Sequence, residues 1–151
     1  MPRSRKFTVN EVLLMASIVV VVAIVGALAI RSYYQYFLRS QISAAVSSLA
    51  DMRLKMERYF QKNLTYNNPA APPCGAAGSS VAPLPTDSNF TFTCPTLSST
   101  QFTVVATGAG GSMMGFQYSI DQNDNRFTKS LPSGWAGVGS ACWVMQQDGT
   151  C

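Results

Sequence analysis

The sequence predicts an α+β protein in which one long N-terminal helix packs on a small antiparallel β-sheet. Three observations lead there. Val12 to Ile30 is a 19-residue run without a charged side chain. A seven-residue apolar repeat follows it, with no proline or glycine between Gly26 and Pro69. Beyond residue 89 come short segments in which apolar and polar residues alternate.

The apolar run comes first. As a helix, nineteen residues reach about 28 Å, the thickness of a bilayer core. Tyr33, Tyr34 and Tyr36 follow it and suit a membrane interface. Arg3, Arg5 and Lys6 precede it and orient the N-terminus to the cytoplasm, against Arg31 on the far side. One side chain breaks the pattern: Glu11 stands at the very edge of the run. A carboxylate facing hydrocarbon costs about 2–4 kcal/mol unless it is paired. A cationic partner for Glu11 is therefore expected.

The helix then continues. Leu38, Ile42, Ala45, Leu49, Met52, Met56 and Tyr59 are spaced 4, 3, 4, 3, 4, 3, an apolar stripe over three heptads. Polar residues fill the other faces, and Asp51–Lys55 is an i,i+4 pair in the favourable order. One helix from about Thr8 to Lys62 is predicted, with Asn63 as its polar cap. Its second half offers a stripe to the protein's own sheet, or to a second helix in a two-stranded coiled coil.

Residues 67–89 hold five prolines and read as a loop. Four strands are predicted: Phe90–Cys94, Gln101–Thr107, Phe116–Asp121 and Arg126–Ser130. Asp121–Asn125 (DQNDN) is a hairpin turn; it lacks the glycine and distal glutamate of a calcium loop. Gly108–Gly115 (GAGGSMMG) is a flexible connection rather than a phosphate cradle, since no helix follows it. Leu131–Cys151 is irregular.

The four cysteines are Cys74, Cys94, Cys142 and Cys151, without a CxxC spacing and in a chain lacking histidine, so no metal site is expected. An even count beyond a membrane segment suggests two disulfides in an oxidising compartment. Three pairings are open. Cys74–Cys94 with Cys142–Cys151 is favoured because both loops are short, each contributing about 3 kcal/mol in the chain-entropy model.

Charge and chemistry narrow the function. The net charge of +4 comes from Arg3, Arg5, Lys6, Arg31 and Arg39 less Glu11, all around the apolar run. Beyond Ser40, six basic residues face six acidic ones, so the rest is neutral and offers little to nucleic acid. There is no histidine base, GxSxG, phosphate loop or carboxylate pair beside a nucleophile. Neither an enzyme nor a cofactor is expected.

With these residues in view, the chain resembles a type IV pilin, and a minor pilin in particular. The resemblance covers nearly the whole length. It rests on a short basic leader before Phe7-Thr8, on Glu11 as the fifth residue from Phe7, on Met56–Tyr66 (MERYFQKNLTY), and on the pattern YSIDQ…LPSGW…CW…C in Tyr118–Cys151. It implies a leader at 1–6, a membrane or filament-core helix at 7–35 and a periplasmic head at 36–151. The head would comprise the amphipathic half-helix 36–62, loop 63–89, sheet 90–130 and C-terminal disulfide region 131–151. It further implies that a prepilin peptidase cuts before Phe7, that the new amine is methylated, and that this amine pairs with Glu11 of a neighbouring subunit. Partners would be other pilin subunits, the assembly machinery and the inner membrane of a Gram-negative bacterium, with the filament outside the cell.

This sequence departs from the family pattern in three places. Lys6 stands where the family has glycine, Asn10 replaces an apolar residue, and the membrane helix lacks its usual proline. The alternatives to a structural pilus subunit are a DNA-binding or adhesive minor pilin, a type II secretion pseudopilin, and an uncleaved single-span membrane protein.

Overall fold

The computed structural model describes residues 9–68, 74 and 81–151. The leader 1–6 and Phe7 lie outside the described residues. Helix α1 spans Val9–Asn63, 55 residues. Strands β1 (Phe90–Leu97), β2 (Phe102–Gly108), β3 (Gln117–Asp121) and β4 (Arg126–Ser130) form one antiparallel sheet in the order β1-β2-β3-β4. The chain divides into two compact units, Met1–Phe37 and Leu38–Cys151.

In the first unit the described residues are all helical, since nothing in the run breaks a helix. Gly26 is the single glycine there, and a Cβ placed on it would meet nothing within 4 Å. The large apolar side chains from Val12 to Ile30 are 50–73% exposed. The helix is long and apolar enough to cross a membrane.

In the second unit the heptad stripe does what its period asks. Leu38, Ile42, Ala45, Leu49, Met52 and Met56 are buried in one core with the sheet. The coiled-coil alternative is not needed, because the sheet itself covers the stripe. The last heptad position departs: Tyr59 is only half-buried, while Val46 and Phe60 join the core. A helix turns once per 3.6 residues, so a strict seven-residue repeat slips by about 20° per heptad. By the third heptad the neighbouring side chain faces the sheet instead.

The sheet is a meander of short turns, the topology that alternating segments most readily form. Phe92, Ala106, Tyr118 and Thr128 lie side by side across the four strands, each at most 3% exposed. Three strands differ from expectation at their ends. β2 is shifted by one residue, to Phe102–Gly108 from the expected Gln101–Thr107. β1 runs on past Pro95 to Leu97, with a register shift between Thr93 and Thr96. Proline is tolerated there because β1 is an edge strand and needs no outward N–H. β3 begins at Gln117, although Phe116 before it is buried.

Gly108–Gly115 is more ordered than a flexible connection. Gly111–Met113 is a 3₁₀ turn, and it drives Met113 into the core. The turn passes so close to Gly108 that a Cβ there would collide with the Met113 carbonyl. The helix also ends differently. Asn63 is the last helical residue, and its amide donates to the Tyr59 carbonyl at 2.9 Å. Leu64 takes the left-handed conformation at φ 56°, where its N–H donates to the Phe60 carbonyl at 2.7 Å.

Residues 131–151 carry no strand or helix, yet they are firmly tied to β4 and β3. The buried Thr128 hydroxyl donates to the Cys142 carbonyl (2.7 Å) and accepts from the Val144 N–H (2.9 Å). Tyr118 Oη donates to the Val144 carbonyl (2.8 Å), and Trp143 Nε1 to the Ser119 carbonyl (3.0 Å). Disulfides join Cys74–Cys94 and Cys142–Cys151, the two short loops, with separations of 20 and 9 residues.

Two core phenols give this head a pH signature. Burial, then the Glu57 carboxylate that accepts its hydrogen bond at 3.0 Å, pushes Tyr66 up to about 12 from 10.0. Burial alone pushes Tyr118 far above the ordinary tyrosine range. Both groups hold their proton more tightly folded than unfolded. Their contribution is therefore complete below pH 10 and is lost as pH rises toward 12. The thermal midpoint of the head, followed by near-ultraviolet circular dichroism, should fall over that window. A midpoint constant across it would contradict the assignment.

Candidate functional site

Two surfaces stand out, one in each unit. In the first, Glu11 sits exposed in the opening turn of α1, directly before the apolar run. A helix N-terminus carries partial positive charge, so a carboxylate is tolerated there. Beside it lies an apolar surface of valine, leucine, isoleucine and alanine along a continuous helix. A surface so extended calls for lipid or for other apolar helices. Phe7, the expected partner in assembly, lies outside the described residues.

The second surface is electrostatic, and it emerges from how the head distributes its ions. Asp124, at φ 61° in the β3–β4 turn, gathers two arginines. Arg126 donates to both of its oxygens, at 3.2 and 3.0 Å, and places its guanidinium 4.9 Å from the centre of the Trp143 ring. The buried Arg53 Nε faces Asp124 Oδ1 at 3.8 Å, beyond hydrogen-bond range. These ions tie the helix to the hairpin and are committed to structure. Asp121 is committed too. Its oxygens accept from Asn123 N (2.8 Å), Asn125 N (3.0 Å) and Asn125 Nδ2 (2.8 Å), so DQNDN is a self-closed turn. At the C-terminal loop, Arg39 donates to Gln146 Oε1 at 2.7 Å.

Of the four other cations beyond Ser40, Lys129 stands on β4, and Lys55, Arg58 and Lys62 come together. With Tyr59 and Val81 they line an open pocket of about 300 Å³ over the end of α1. Lys55 also pairs with Asp51 at 2.6 Å. A larger groove of about 500 Å³ runs along β1 and Pro83–Asp87, where the one charged lining residue is Asp87. Net charge hides the basic pocket, because it sums six cations against six anions over the whole head beyond Ser40. A signal did exist: residues 55, 58 and 62 are spaced i, i+3, i+7, which places them on one helix face.

Comparison with known proteins places the chain in a family. The family model described as "Type IV minor pilin ComP, DNA uptake sequence receptor" matches residues 32–116, more than half of the chain. Among solved structures, the chain is similar to the crystal structure of the Neisseria meningitidis non-core minor pilin PilV. The TM-score is 0.52 at 14% identity, covering 70% of this chain and 98% of that one. At that identity the likeness is one of fold. No curated protein matches the sequence.

Proposed function

Since the chain belongs to the ComP family of type IV minor pilins, we propose that it enters a pilus by packing its apolar helix among those of other subunits, with Glu11 meeting the terminal amine of a neighbour. The role is structural, as in pilin families generally. The observation that supports the assembly route is the exposure of the Val12–Ile30 side chains, 50–73% in the isolated chain. Lipid covers that surface before assembly and neighbouring helices cover it afterwards.

The amine would come from cleavage before Phe7, followed by methylation. A carboxylate entering a water-poor helix bundle needs a cation, since an unpaired buried charge costs several kcal/mol. The same reading anchors the chain in the inner membrane of a Gram-negative bacterium until it is extracted into the filament. Mass spectrometry of the chain from sheared filaments tests it directly. The expected mature N-terminus is a methylated Phe7. Lys6 in place of the usual glycine makes this a demanding test. Filaments containing only chains that retain Met1 would overturn the amine pairing.

A second reading is favoured by the family's own description, which names a receptor for a DNA uptake sequence. On that reading the head contacts DNA while the helix holds it in the filament. The basic pocket on α1 supports it, although the head as a whole is neutral.

A further inference from the structure

We propose that Lys55, Arg58 and Lys62, at the pocket over the end of α1, hold the phosphate backbone of DNA. This rests on the DNA-capture reading and locates the contact within the head. Of the six basic residues beyond Ser40, Arg53 and Arg126 are spent on Asp124, and Arg126 also covers Trp143. The larger groove carries the carboxylate of Asp87 and repels an anion. Three of the four remaining cations, all except Lys129, surround one open cavity.

The geometry suits a phosphodiester chain. At 1.5 Å rise per residue, Lys55 and Lys62 lie about 10 Å apart along the helix, so the three cations meet separate phosphates instead of crowding one. Tyr59, half-buried between them, adds a hydroxyl of the kind that contacts phosphate oxygens. Two carboxylates belong to this stretch of helix. Asp51 holds Lys55 and must yield it in part, whereas Glu57 accepts the hydrogen bond of Tyr66 Oη. Such contacts set position on DNA and do not read bases. Losing them should weaken binding to any sequence alike.

The test uses the full chain in detergent micelles and a fluorescent duplex, with anisotropy measured between about 50 and about 200 mM salt. Each phosphate contact contributes about 0.9 to the slope of log affinity against log salt. The combined variant Lys55→Ala, Arg58→Ala, Lys62→Ala should lose at least about tenfold in affinity, and its slope should flatten by about 2–3. Lys55→Arg with Lys62→Arg should bind like the unmodified chain, and unchanged circular dichroism shows that the head is folded. If the unmodified chain binds DNA and the triple Ala variant keeps its affinity and slope, the pocket is not the site. Loss on Lys129→Ala instead would move the contact to β4. If the unmodified chain binds no duplex at low salt, the DNA-capture reading fails and the assignment fails with it.

Discussion

Glu11→Ala leaves a protein that still inserts into the membrane but is missing from filaments. Insertion depends on the 19-residue apolar run, which the substitution leaves intact and in fact extends. On the proposed pairing, incorporation depends on what the carboxylate does once water is gone. Removing one partner of a buried ion pair strands the other, at about 3–5 kcal/mol. That corresponds to a fall of about two to nearly four powers of ten in the incorporation equilibrium. Immunoblots of membrane and sheared-filament fractions measure both quantities. Normal amounts of the Ala variant in filaments would refute the pairing. Glu11→Gln refines the test: it retains shape and hydrogen bonding but not charge, and it should fail nearly as badly if the cation is the partner.

The second large effect concerns the seam that joins helix to sheet. Leu49 is 0% exposed at the middle of the stripe, whereas Leu54, five residues on, is 49% exposed. Leu49→Ala removes buried methyl groups and opens a cavity that a tightly packed seam cannot fill, at about 2–5 kcal/mol. Leu54→Ala should stay within about 0.5 kcal/mol, as surface changes do. For a head of this size the first substitution should lower the thermal midpoint by about 10 °C or more, and the second by little. Equal tolerance of the two would mean that the helix does not bury this face. The Leu49 variant should also reach filaments poorly, because an unfolded head is degraded before assembly.

The basic pocket changes the reading of the head's charge. Six cations against six anions suggests indifference to DNA when only totals are counted. The fold converts that neutrality into a patchwork. Asp124 and Asp121 are consumed in the β3–β4 turn, and Glu57 is turned toward Tyr66. Lys55, Arg58 and Lys62 are grouped on one side. A polyanion responds to the local cluster within about a Debye length, roughly 8–10 Å, not to the sum over the domain.

How much was legible in the sequence differs from element to element. The run from Val12 to Ile30, the stripe from Leu38 to Met56 and the alternation in β1 and β2 were all readable, because each is a local period. The acid at the lipid edge raised its own question, because its cost depends only on its position. Cys74–Cys94 and Cys142–Cys151 were the favoured pairs on loop length alone, and they are the pairs joined.

Other features belong to the folded chain. Tyr59 leaves the seam because helical slip accumulates over three heptads of contact. Leu64 accepts a left-handed conformation that its side chain disfavours, since Tyr66 behind it is buried against Phe60 and Phe102. Thr128 looks like an ordinary strand threonine until residues 142–144 fold back and use its hydroxyl twice. The pocket needs Val81 brought against α1, across a loop whose path no periodicity specifies. Period, hydropathy and ring-closure length act between near neighbours, so the chain alone determined the helix, the strands and the disulfides. Which distant side chains would meet, and which ions would cancel, was decided only when hydrophobic burial brought the sheet, the C-terminal segment and the helix end together.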